Sequence, residues 1–277
     1  MAKAKLTKKE IAGKLGVSVS SLYYKAKKPV EDLEVKAQIE AVLTENPTYG
    51  HKRIAMALKL NKKRILRVMK KFNIKPYKRR SKNPKKPEDY KKPETKFKNL
   101  IENICPIKPN AIWVTDFTYI KYQGKFFYLA TLMDLYTREI VGFNISRYHN
   151  QELVAGAIED SLSKHKRPEI LHSDQGSEYD SKAYENICNQ LGIKISMSRK
   201  SSPWENGFQE SFYSHFKVEL ADQNRFEEYG QLLEEIYRIL NYYNTKRIHT
   251  ALKMSPMLFK EKYFTNLNKI NSQKILS

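Results

Sequence analysis

Three strand-like runs follow one another between Ile112 and Ser146, and no other stretch restricts the possible folds of this chain as strongly. IWVTDFTYIKY mixes β-branched, aromatic and polar residues, Gln123-Gly124 supplies a tight turn, KFFYLATLMDLYT runs back, and EIVGFNIS comes after a break at Thr137-Arg138. Connections this short join antiparallel neighbours. Asn150 then begins an amphipathic helix, Glu152 to about Lys164, with Leu153, Ala157, Ile158 and Leu162 turned inward. A fourth strand, Glu169 to Ser173, must lie parallel because a helix separates it from the third. A helix from Lys182 to Leu191, the strand IKISMS, a polar loop from Arg199 to Trp204 and a helix from about Glu205 to Leu220 complete the pattern. The order β-β-β-α-β-α-β is that of an RNase H-like α/β domain, a mixed five-stranded sheet with helices on both faces.

Two carboxylates sit oddly in this scheme. Asp116 interrupts the apolar strand WVTDFTYI, where a charge is costly unless it is paired or meets a cation. Asp174, in HSDQGSEY, stands where a parallel strand ends, and Gly176 permits a sharp turn that exposes it at the sheet's edge. Side chains on a first strand and its parallel neighbour can converge on Mg²⁺ or Mn²⁺, which take oxygen ligands. Glu210, in WENGFQESFYSHFK, is the third candidate, with 35 residues between it and Asp174. Lys217 lies seven residues further on, about two helical turns, and Asn206 one turn earlier, so both are expected on the Glu210 side, facing DNA. In isolation this would be an ordinary solvated helix face; with Asp116 and Asp174 it becomes a stripe of metal ligand, amide and ammonium. His172 reads as structural more readily than as a ligand, Glu178, Asp134 and Asp180 as turn or surface residues, and Trp204 as a loop anchor. Arg247 and His249 either contact DNA or buttress the helix of Glu210.

The N-terminal part differs electrostatically from the rest. Residues 1–100 hold 29 Lys/Arg against 9 Asp/Glu, while residues 101–277 hold 22 against 21, so nearly all of the +21 charge lies in the first hundred residues. A polyanion partner is implied, with nucleic acid foremost. Thr7 can cap a helix through Ile11, Ala12 and Leu15, and Gly16 can turn the chain into a second helix from Val19 to about Lys27. Ala12, Gly16 and Leu22 then have helix-turn-helix spacing, with Ser20, Ser21, Tyr24 and Lys25 toward a DNA groove. A longer helix, about Asp32 to Thr44, turns Leu33, Ala37, Val42 and Leu43 inward, and a third element carries Ile54, Ala55 and Leu58. Asn61 caps the next helix, burying Ile65, Leu66, Met69 and Phe72 and offering Lys63, Arg64, Arg67, Lys70 and Lys71 to phosphates. The segment 76–97 is rich in Pro and Lys with almost no aliphatic residues, a linker. Domain boundaries are therefore expected as 1–28, helix-turn-helix; 29–75, a second helix-turn-helix-like unit; 76–100, linker; 101–222, catalytic core; and 223–277, a C-terminal helical region.

VTDFTYI, HSDQGSEY, the WEN-to-QESF block and YYNTKRIHTALKMSP, with the 35-residue interval, resemble the DDE catalytic domain of retroviral-type integrases and, more closely, of insertion-sequence transposases of the OrfB type. PTYGHKRI followed by NKKRILRVMKKFNIKP is similar to the helix-turn-helix segment that precedes that domain. The resemblance implies a polynucleotidyl transferase using two Mg²⁺ or Mn²⁺ ions on Asp116, Asp174 and Glu210. It also implies terminal inverted repeats and target DNA as substrates, and a small upstream-frame DNA-binding partner, fused or separate. Synapsis of two ends implies at least a homodimer. The paired His and Cys of the retroviral zinc domain are missing. A metal-dependent nuclease of the same fold and a non-catalytic DNA-binding regulator are the alternatives. Two cysteines, no apolar run long enough for a membrane span and no signal-peptide pattern lead to an expected cytoplasmic location.

Overall fold

Thr7 opens helix α1 (Lys8–Leu15) with a reciprocal cap: its hydroxyl accepts from the Glu10 N–H, and the Glu10 carboxylate accepts from the Thr7 N–H at 2.7 Å. Gly16, at φ 63°, ends it. The next element is a 3₁₀ turn, Val19–Tyr23, rather than the expected α-helix from Val19. Ser18 bonds the hydroxyls of Ser20 and Ser21, a local alternative to helical pairing, and Leu22 is exposed instead of anchoring a core. The computed structural model describes residues 7–23, 28–77, 96–102, 104–176, 178–199 and 206–275. Tyr24, Lys25, most of the Pro/Lys-rich linker and Trp204 lie outside them.

The chain divides after Pro76 into two compact units. In the first, α2 (Lys28–Glu45), α3 (His51–Leu58) and α4 (Lys62–Lys71) share a small core of Val35, Ile39, Tyr49, Ile54, Ala55, Ile65, Val68 and Met69. Asn61 caps α4 as expected, accepting from the Lys63 N–H at 2.8 Å. The inward face of α2 is not the one periodicity selects: Leu33 and Ala37 are exposed, and Asp32, Val35 and Ile39 are buried. An ionic contact accounts for the rotation. Asp32 receives Arg67 through both guanidinium nitrogens, at 2.8 and 2.5 Å, and Lys71 at 2.9 Å. On α4, Val68 is buried, Leu66 is exposed and Phe72 is half-buried.

The second unit is built on β1 (Ile112–Tyr122) and β2 (Lys125–Asp134), paired antiparallel across Gln123 and Gly124, both at positive φ. β3 (Ile140–Ser146) pairs antiparallel with β2, while β4 (Ile170–Ser173) and β5 (Lys194–Met197) run parallel to β1. The sheet order is β3-β2-β1-β4-β5. Helices α5 (Gln151–Leu162) and α6 (Lys182–Leu191) cover one face, packing Leu153, Ala157, Ile158, Tyr184 and Cys188 against Trp113, Leu132 and Leu171. Helices α7 (Gly207–Leu220) and α8 (Tyr229–Thr245) cover the other, packing Phe212, Phe216, Ile236 and Leu240 against Val114, Ile120 and Leu129. α9 (Pro256–Ile275) is the last element. Asp134, expected as a turn or surface residue, is a buried turn acid accepting from the N–H groups of Asn110, Tyr136 and Thr137.

Candidate active site

Asp116 and Asp174 are brought together by strand pairing. β1 and β4 pair with Ile112 opposite Ile170 and Val114 opposite His172, and the same offset carries Asp116 to Asp174, just beyond the last paired residue of β4. The Asp116 carboxylate accepts from the Phe117 N–H at 2.8 Å, and that of Asp174 from the Gly176 N–H at 3.0 Å. Burial, reinforced by the negative charges of Asp174 and Glu210, pushes the Asp116 carboxyl up to about 7; the Phe117 N–H and Lys217 oppose this. Burial also raises Asp174, joined by Glu178 and opposed by the Gly176 N–H and His149. Burial raises Glu210. The three acids thus share one electrostatic neighbourhood. Among the described residues, however, no three His, Cys, Asp or Glu side chains already stand as a metal cage.

Lys217 lies on the Glu210 side of α7, as the seven-residue spacing predicts. Its ammonium is 4.6 Å from the centre of the Tyr119 ring and within electrostatic reach of Asp116. Asn206 does not join them. It is buried and donates its amide to the Thr115 carbonyl at 3.3 Å, because it lies three and seven residues before Gln209 and Tyr213, the sheet-facing side of α7.

His172 takes its structural reading: it is buried, with Nδ1 2.8 Å from the Ser196 hydroxyl. Arg247 is a buttress, buried and bonded to Glu219 on α7, and His249 forms a backbone bridge with Met254. Asp180 is exposed and pairs with Lys96, but Glu178, expected on a turn or the surface, is buried and meets His149 Nε2 at 3.0 Å. His149 packs on Phe117 and Tyr128, which links β1, β2, the start of α5 and the turn after Asp174. Buried Tyr179, 3.3 Å from the Thr115 hydroxyl, ties the same turn to β1.

The basic side chains of the helical unit divide. Arg67 and Lys71 bind buried Asp32, and Arg64 meets Glu31 at 3.3 Å, whereas Lys63 and Lys70 are exposed. No acid lies within 61–80; the partner acids come from α2. Ser20 and Ser21 are exposed.

A mixed five-stranded sheet in this order with helices on both faces is an RNase H-like fold. Residues 106–203 and residues 191–256 match two families, each described as Integrase core domain. The transposase for insertion sequence element IS904 of Lactococcus lactis subsp. lactis (strain IL1403) is 35% identical over 249 residues, 86% of this chain and 97% of the relative. The putative transposase InsK for insertion sequence element IS150 of Escherichia coli (strain K12) is 29% identical, covering 88% and 90%. A cryo-EM structure of the simian T-cell lymphotropic virus intasome in complex with PP2A regulatory subunit B56 gamma aligns with a TM-score of 0.51 at 15% identity, covering 80% of this chain and 74% of that one. The chain belongs to the insertion-sequence transposases with an integrase core domain, polynucleotidyl transferases of the DDE class. Among the described residues no helix is long and apolar enough to cross a membrane.

Proposed function

We propose that Asp116, Asp174 and Glu210 are the metal-binding and catalytic acids of this transposase, and that they hold two divalent cations, Mg²⁺ or Mn²⁺, for cleavage and joining of DNA. The common register of Asp116 and Asp174 carries this reading. The donor set fits such ions: oxygen ligands only, on carboxyls raised by burial, with Asp116 raised further by the charges of Asp174 and Glu210, which a cation would relieve. When bound, the ions supply activation of a water or DNA 3′-hydroxyl and stabilisation of the leaving oxygen.

The chain's own share is placement. β1 presents one acid and the turn directly after β4 the second, α7 presents the third, and Lys217 is set to meet a DNA phosphate beside them. The basic helical unit supplies phosphate contacts through Lys63 and Lys70, and the exposed Ser20 and Ser21, with Tyr24 and Lys25, belong to the same DNA-contacting role. Element terminal repeats and target DNA are the substrates, acted on by at least a homodimer; no residue is assigned to a small upstream-frame partner. Joining exchanges one phosphodiester for another, which explains why the reading needs no nucleotide triphosphate.

Strand-transfer assays with labelled donor ends test this. Asp116→Asn, Asp174→Asn and Glu210→Gln each lower cleavage and joining by about three orders of magnitude, the scale of losing several kcal/mol of charge stabilisation, and leave DNA retention nearly intact. Activity surviving any of these changes removes that acid from the site.

A further inference from the structure

Gln209 is fully buried on α7, the residue before Glu210, in a position that helical packing would normally give to an apolar side chain. Its amide donates to the Val114 carbonyl at 2.8 Å and the Thr131 carbonyl at 3.1 Å, and its carbonyl oxygen accepts from the Thr131 hydroxyl at 3.1 Å. One turn on, the buried Tyr213 hydroxyl donates to the Asp116 carbonyl at 2.6 Å and lies 2.8 Å from the Thr131 hydroxyl. Thr131 is the residue on β2 directly opposite Asp116. A hydrogen-bonded staple therefore fastens α7 to the rung of the sheet that carries Asp116.

The apolar contacts of Phe212, Phe216 and Leu220 hold α7 against the sheet but set its rotation only loosely, because such contacts are not directional. Rotation matters for Glu210. A turn of about 20° moves a side-chain tip some 5 Å from a helix axis by about 2 Å, while productive site geometry tolerates about 0.5 Å. Hydrogen bonds at 2.6–3.1 Å to fixed carbonyls restrict that rotation.

We infer that Gln209, Thr131 and Tyr213 are positioning residues that fix the rotation of α7 so that Glu210 is presented to Asp116. This rests on the three-acid reading, and the test separates the two. Mn²⁺ binding to the full chain without DNA is measured by electron paramagnetic resonance, with thermal unfolding alongside, for Thr131→Val, Tyr213→Phe, Thr131→Ser and Glu210→Gln. The first two keep side-chain shape and remove one hydroxyl each. They are expected to weaken Mn²⁺ binding roughly 10-fold, as outer-shell changes do, with Thr131→Ser near wild type. Thr131→Val/Tyr213→Phe together should cost less than the product of the single effects, since both act on one network.

Unchanged Mn²⁺ affinity in Thr131→Val and Tyr213→Phe, while Glu210→Gln weakens it, overturns the positioning role and leaves the acids in place. Affinity lost only in step with melting temperature, with Thr131→Ser equally affected, makes the network structural and also overturns the inference. Unchanged affinity in Glu210→Gln removes the third acid, and the positioning role with it.

Discussion

Asp116 and Asp174 stand side by side where β1 and β4 part: their strands pair through Val114 and His172, and the acids come two residues later on each. Burial and the charge of Asp174 make ionisation of Asp116 harder.

Stability should therefore depend on pH. Folding holds the Asp116 carboxyl near 7, above its unfolded value, so the folded chain keeps a proton that the unfolded chain releases. Without metal, stability contributed by this group is full below about pH 4 and falls as pH rises to about 7. Mg²⁺, which needs the ionised acids, should stabilise progressively more across the same interval. Melting temperatures over pH 4–8, with and without Mg²⁺, check this, and Asp116→Asn should flatten the metal-free slope.

Arg247 and Glu219 form a nearly buried ion pair between the segment after α8 and the helix bearing Glu210. Arg247→Met leaves a carboxylate buried without its guanidinium and should cost about 3 kcal/mol in chemical unfolding. Adding Glu219→Leu should recover most of that loss. Equal destabilisation by single and double changes would contradict a direct pairing.

Gly142 brings the backbone of β3 close against α5. A Cβ there would lie 2.5 Å from the Ser161 Cβ and 2.6 Å from the Ala157 carbonyl oxygen. Backbone cannot yield as a flexible side chain can, so Gly142→Ala should destabilise by about 2–3 kcal/mol, measured by urea unfolding.

Asp32 organises the helical unit. Its hydrogen bonds from Arg67 and Lys71 hold its carboxyl well below the usual carboxylate range, so its contribution is present above about pH 4 and fades as the solution is acidified. Asp32→Asn should lower the melting temperature of this unit by roughly 5 °C at pH 7 and have much less effect near pH 3.

The strands of the catalytic unit were legible because local signals agree: β1 begins and ends where the alternation does, and Gln123-Gly124 adopts the turn such a pair favours. Asp116 and Asp174 stand out as candidates because a charge in an apolar strand and an acid before a Gly-permitted turn are anomalies that sequence displays. Buried polar groups do not stand out. Asp32 looks like a surface acid until Arg67 and Lys71 arrive from 35 and 39 residues away, and periodicity then chooses the wrong face of α2. Glu178 is similarly hidden until His149 is brought to it. Gln209 offered a faint cue, a glutamine on the side of α7 shared with Tyr213; its partners Val114 and Thr131 are distant in sequence.

Because α7 is moored to β1 and β2 through Asn206, Gln209 and Tyr213, the location of Glu210 is specified by the sheet and not by the length of chain that leads to it. A change that loosened those hydrogen bonds would displace Glu210 even with every residue between Asp174 and Glu210 kept.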